Sequence, residues 1–184
     1  RPLFRTRTRI VDEGGGRLRV EKQPLSGGSG AQDGPVTLHA TESPWRDTVS
    51  LNTTTYLRAR GAKRSLADIF SPCAPWVAHL GSLATQRDGV AWLDGNYVDC
   101  TWHNVFPQGA GFEFVDREWT WHQDIRLPVV VIRASYYFLA RTEDQPGISR
   151  QLARRSGRAL ITEIATGLGV TPGARDFDDF VELE

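Results

Sequence analysis

The chain has 184 residues, 40% of them hydrophobic and 24% charged. That suits one ordinary globular domain with its own core and excludes a disordered or fibrous polypeptide. Lysine plus arginine and aspartate plus glutamate both number 22, so net charge does not point to a polyanionic partner such as nucleic acid. The longest apolar run, "LPVVVI" at 127–132, falls far short of the roughly 20 residues of a membrane span.

In chain order, "LFRTRTRIV" (3–11) and "GRLRVEKQPL" (16–25) alternate apolar and polar residues around "DEGGG". The pattern predicts an antiparallel hairpin with one face on a core and the other arginine-rich and wet. "SGGSGAQDG" (26–34) has the composition of a flexible loop, and "VTLHAT" (36–41) that of a short strand. "NTTTYLRARG" (52–61) is β-prone up to its break at Gly61. In "RSLADIFSPC" (64–73), Leu66, Ile69 and Phe70 fall at helical spacing behind Ser65 as N-cap. "PWVAHLGSLATQ" (75–86) starts on proline and continues as a helix with an apolar face. "LPVVVIRASYYFLAR" (127–141) is apolar on nearly every side and predicts a buried helix, a strand remaining open for its β-branched first half. "ISRQLARRSGRALITEIATGLG" (148–169) predicts a helix ending near Gly167 or Gly169. The acidic "RDFDDFVELE" predicts a short helix or an extended tail.

The chemistry concentrates in "NYVDCTWHNVFPQGAGFEFVDREW" (96–119). Apolar residues flank "PQGAG" as a turn, which predicts a hairpin that brings Asn104 and Asp116 together, with Asp99 on the loop before it. Burying a carboxylate is costly unless it is paired, hydrogen-bonded or holding a metal. Three converging oxygen-bearing side chains are what a hard cation such as Mg²⁺ requires.

D-x-x-x-x-N, a hairpin, then an apolar residue and Asp resemble the catalytic loop and metal-binding aspartate of the kinase-like fold. The small-molecule, aminoglycoside-phosphotransferase-like branch is the nearest in flavour. "DCTWHN" and "DREW" are also similar to the motifs of kinase-like domains fused behind methyltransferases or glycosyltransferases in bacterial surface-polysaccharide assembly. "LRVEKQPL" resembles the strand carrying the phosphate-binding lysine, and "TYLRARGAKRSLADIF" the hinge strand and the helix after it.

The resemblance implies an α+β, protein-kinase-like fold: a reduced antiparallel N-terminal lobe with hinge over residues 1–62 and a helical C-terminal lobe over 63–184. Together they would form one kinase-like domain. The chain lacks methionine and opens at Arg1, which reads as a piece of a longer polypeptide. The implied function is Mg-ATP-dependent phosphoryl transfer to a hydroxyl of a small molecule or glycan, with ATP and Mg²⁺ as cofactors. Asp99 would take the acceptor's proton, and Asn104 and Asp116 would hold the metal. Lys22 would clamp phosphates with Glu42 as its partner, and Tyr56 and Leu57 would line the adenine seat. Departures from the pattern are the missing G-x-G-x-x-G before Lys22, Tyr97 in place of histidine, and Arg117–Glu118 after Asp116. They support an alternative: a catalytically inactive kinase-like scaffold attached to an upstream methyltransferase or glycosyltransferase. A metal-free interaction domain is the third reading.

Other candidates read as structural. His103 beside Trp102 reads as a packed residue, His122 and Asp124 as a surface pair, and Trp102, Trp119 and Trp121 as core and rim. Glu118 and Trp119 read as braces of the loop, and "RQLARRSGR" (150–158) as a solvated face paired with the acidic tail. Cys100 beside Asp99 lacks the positive neighbour a nucleophile needs. Two cysteines without a metal-type spacing fit a reducing cytoplasm, one disulfide remaining open.

Overall fold

The computed structural model describes residues 6–25, 31–33, 36–45, 48–61 and 64–184. It is a mixed α+β protein with small antiparallel sheets and a helical body. Strands β1 (Thr6–Gly14) and β2 (Arg17–Pro24) pair as a hairpin in which Ile10 faces Val20 and Thr8 faces Lys22. The turn follows from Gly14, Gly15 and Gly16, all at positive φ, which glycine adopts without a Cβ penalty.

No side chain of β1 or β2 is buried, and Ile10 is 55% exposed. This corrects the expectation of a side buried on a core: Val20 only lines a slot shared with Phe106 and Val115. The loop expected at 26–34 lies outside the described residues over 26–30 and at Gly34. Ala31–Asp33 is instead strand β3, paired with β4 (Val36–Leu38). β5 (Thr41–Pro44) returns to β2 and completes the first sheet.

The next segment corrects the sequence reading. Residues 52–61 are not a hinge strand; Leu51–Ala59 is helix α1. Ser50 caps it by accepting from the Thr53 N–H at 3.3 Å. Thr54 and Thr55 turn their hydroxyls onto the carbonyls of Ser50 and Leu51, so the β-branched run satisfies its polar groups within a helix. Leu51 and Ala59 are buried in the helical core, so α1 packs with the body rather than with the first sheet. Tyr56 packs at the core's edge and Leu57 is 57% exposed, which leaves neither on a strand at a cleft.

Helix α2 (Leu66–Phe70) starts in a capping box between Ser65 and Asp68. Helix α3 (Ala74–Leu83) carries Pro75 in its first turn. β6 (Thr85–Arg87) and β7 (Val90–Leu93) form a second hairpin, turning on Asp88 and Gly89 at φ 51 and 76. The expected third hairpin consists of β8 (Val105–Gln108) and β9 (Gly111–Phe114). β10 (Trp119–Trp121) pairs with β4, and β11 (Ile125–Arg126) with β7.

Helix α4 (Leu127–Thr142) is the axis of the body. Val129 to Ile132, Ala134, Phe138 and Leu139 are all buried, each large apolar side chain contributing about 1.5–3 kcal/mol. Residues 148–169 form two helices rather than one: α5 (Pro146–Leu152) and α6 (Gly157–Gly167), the second capped by Ser156. The acidic end is helix α7 (Ala174–Leu183), fastened to the body by Arg126 on Asp176 and Asp179 and by the Arg158 guanidinium over Phe177. No helix is long and apolar enough to cross a membrane among the described residues.

Candidate functional site

Asp94 caps a short turn over Gly95–Tyr97 by accepting from the Asn96 N–H at 2.8 Å. A Cβ on Gly95 would run into the Trp121 carbonyl, so glycine lets this loop lie against β10. Trp102 then inserts into the core among Phe70, Trp76 and Phe138 and fixes the segment that carries Asp99 and Asn104. Asn104 is 3% exposed and works as a clip. Its Nδ2 donates to the Asp99 carbonyl at 3.0 Å and more weakly to Asp99 Oδ2 at 3.4 Å, while its carbonyl accepts from Val115 N–H at 2.9 Å. The hairpin thus joins Asn104 to the residue before Asp116.

Lys22 reaches across from β2. Its Nζ lies 2.7 Å from Asp116 Oδ2 and 3.0 Å from Glu118 Oε1. Burial alone would lower the Lys22 pKa, but the two carboxylates more than offset that and raise it above its ordinary value. Asp116 sits at φ 57, a conformation that costs a residue with a side chain about 1–3 kcal/mol and is held here by the ion pair. Glu118 is buried, and its Oε2 has no hydrogen-bond partner among the described residues. The expected Lys22–Glu42 pair is not formed. Glu42 faces Glu21 across the β2–β5 ladder and binds Arg19; successive strand residues point to opposite faces, so Glu42 and Lys22 stand on opposite sides of the sheet. Glu118 takes that place.

Asp99 faces the other side of the loop. Its Oδ1 is 2.8 Å from Arg133 Nη1, which also donates to the Val98 carbonyl at 2.6 Å. Burial pushes the Asp99 carboxyl up to about 6, against the lowering effect of Arg133. Arg133 Nε continues to Glu184 Oε1 at 2.6 Å, and the Tyr137 hydroxyl donates to Glu184 Oε2. These groups line a cavity of about 520 Å³, together with Trp119 and Trp121. A smaller apolar slot of about 160 Å³ lies between the first sheet and the hairpin, lined by Val20, Trp45, Phe106, Val115 and Asp116. Arg133 and Glu184 are functional candidates that the sequence reading passes over. The available signal is that Arg133 is the one charge inside "LPVVVIRASYYFLA".

The remaining candidates fall outside this constellation. His103 packs edge-on to Tyr137, and burial with Arg141 nearby lowers it to about 4. His122 contacts Thr37 and Asp124 pairs with Arg87. Burial pushes the Cys100 thiol up to about 12, which removes it as a nucleophile near neutral pH.

For a metal, no group of three His, Cys, Asp or Glu side chains is poised among the described residues. Of the expected ligands, Asp116 is engaged by Lys22, and buried Asn104 turns its Nδ2 to the Asp99 carbonyl. Both carry oxygens of the kind Mg²⁺ takes alongside water and phosphate. No family model matches the chain, and comparisons with curated proteins and with solved structures give no match.

Proposed function

We propose that the chain is a kinase-like phosphotransferase domain that moves the terminal phosphoryl group of ATP to a hydroxyl of a small molecule or glycan. One observation carries the reading. Lys22, from the first sheet, meets Asp116 at 2.7 Å at the end of the hairpin whose other end holds Asn104, itself clipped to Asp99. Groups of opposite charge from separate elements thereby meet at the end of the hairpin, where Asp116 lines the apolar slot and Asp99 lines the larger cavity.

In this reading the base enters the slot by Val20, Trp45, Phe106 and Val115, and the phosphates exchange with Asp116 and Glu118 for Lys22. Asp116 and Asn104 would hold Mg²⁺, which when bound neutralises phosphate charge. Asp99 accepts the acceptor's proton as its oxygen attacks phosphorus and the bond to the nucleoside diphosphate breaks. A carboxyl near 6 is ionised at neutral pH and close enough to it to serve as a base. The second reading, an inactive scaffold, draws on the full engagement of Lys22 by two carboxylates.

A thermal-shift titration with ATP and Mg²⁺ separates the two. At a hundredfold excess over Kd a native-state ligand adds about 2.7 kcal/mol of stability. The expected result is a Mg²⁺-dependent rise in Tm that Asp116→Ala abolishes. Absence of any shift at millimolar ATP rules out phosphotransfer by this chain and leaves the scaffold.

A further inference from the structure

We propose that Arg133 and Tyr137 form a carboxylate-recognition point in the larger cavity, taking the acid group of a hydroxylated acceptor such as a uronic acid whose hydroxyl is presented to Asp99. The assignment of the hydroxyl rests on the phosphotransfer reading; that of the carboxylate does not.

Arg133 is fixed by the loop before the hairpin. Its Nη1 donates to the Val98 carbonyl and Asp99 Oδ1 at 2.6 and 2.8 Å. Its guanidinium lies over the Tyr137 ring at 5.2 Å. Arg133 and Tyr137 both line the cavity, and there Arg133 Nε and the Tyr137 hydroxyl act as a pair of donors. These two donors receive the two oxygens of one carboxylate, Glu184, at 2.6 and 2.5 Å. A charged donor and a neutral hydroxyl set side by side match a planar carboxylate, and Arg133 keeps its orientation if Glu184 leaves. Such preorganisation lowers the entropic cost of binding.

Glu184 is therefore a stand-in for the ligand. It arrives from α7, which is anchored elsewhere through Asp176, Asp179 and Phe177, so its side chain can be displaced without undocking the helix. Two features narrow the class. Asp99 and Glu182 also line the cavity, and beside them a dianionic phosphate is less favourable than a monoanion. Trp119 and Trp121 form a further wall, suited to the apolar face of a sugar ring. Asp99 and Glu184 share one guanidinium, so the hydroxyl and carboxylate of the ligand would be separated by no more than a single ring spans.

The test measures binding of D-glucuronate, D-glucose and inorganic phosphate, by titration of the protein's own NMR chemical shifts, to wild type, Glu184→Gln and Glu184→Gln/Tyr137→Phe. A tethered competitor acts at millimolar effective concentration, so removing its charge is expected to tighten glucuronate about tenfold, with no gain for glucose. Adding Tyr137→Phe is expected to reverse most of that gain. The proposal is overturned if Glu184→Gln gives no gain, if glucose or phosphate gains as much, or if the gain survives Tyr137→Phe. The ATP·Mg²⁺ thermal shift on the same proteins reports separately on the nucleotide site. Its failure beside an intact glucuronate pattern removes the phosphotransfer reading and leaves the carboxylate site standing.

Discussion

The sheet β1–β2–β5 and the helical body are built on different physics. In the body, Phe138 is 1% exposed and its ring meets those of Phe70 and Trp102. In the sheet, Ile10 and Leu18 are exposed, and the strands are joined by ladder hydrogen bonds, with Arg19 beside Glu13, Glu21 and Glu42 on a partly exposed face. The sheet meets the body through the Lys22 ion pairs, through the His39 N–H to the Glu118 carbonyl at 2.7 Å, and where the chain passes from β4 into β5. The body is held by burial, whereas the join between sheet and body depends largely on charge. A join made of ion pairs is weakened by removing one charge, whereas one made of packed leucines is weakened by lost burial.

The largest effect should separate the two regions. Phe138→Ala is expected to destabilise by about 3–5 kcal/mol, as deletion of a buried aromatic does. Ile10→Ala should stay within about 0.5 kcal/mol, as surface substitutions do. Urea unfolding of both variants checks this. Equal losses would mean that the first sheet has a hidden core partner and that the contrast is wrong.

Next in size is the ion pair between sheet and body. Lys22→Met leaves the buried Glu118 carboxylate without a counter-ion and should cost about 3 kcal/mol. Adding Glu118→Gln removes that charge and should recover most of the loss, a coupling that a double-mutant cycle reads directly. Glu42→Gln serves as the control. Its partner Arg19 is on the opposite face of the sheet and the pair is exposed, so the expected change is under about 1 kcal/mol. If Glu42→Gln matched Lys22→Met, the assignment of faces would fail.

These substitutions also mark where the sequence was legible. Hairpin turns, the Ser65 cap and the buried character of α4 are local signals, and the structure contains them. The contacts of Asn104 with Asp99 and with Val115 are also local, because one hairpin brings its ends together, whereas the side chains of Asp99 and Asp116 turn to Arg133 and Lys22 from distant elements. Residues 52–61 misled because the Thr hydroxyls that satisfy a helix look like β propensity when counted by residue type. The β6–β7 turn at Asp88–Gly89 carries a plain hairpin signal in "RDGV", on strands too short to show a period. Choosing Glu118 over Glu42 needed strand parity and a partner far along the chain. Arg133 with Glu184 needed the packing of α7 on α4, which no local pattern encodes.

The effect read as a slope with pH, rather than as a loss at one pH, is in acid and concerns two groups of the body, Asp99 and His103. Asp99 rises from an ordinary 3.8 to about 6. The native state therefore holds this proton more tightly than the unfolded chain between about pH 4 and 6, and the group's contribution to stability declines as pH rises through that window. His103 falls from 6.5 to about 4 under burial, with Arg141, Arg133 and Lys22 lowering it further against Asp116. Its native state holds the proton less tightly, so its contribution grows as pH rises from about 4 to 6.5. In wild type the two slopes oppose each other. Relative to wild type, the Tm of His103→Gln should fall progressively from pH 4 to 6.5, and that of Asp99→Asn should climb from pH 4 to 6. Scanning calorimetry at half-unit steps compares the difference curves. Two parallel curves would mean that neither side chain is as dry as its packing implies, and the cavity beside Asp99 would then be open to bulk water.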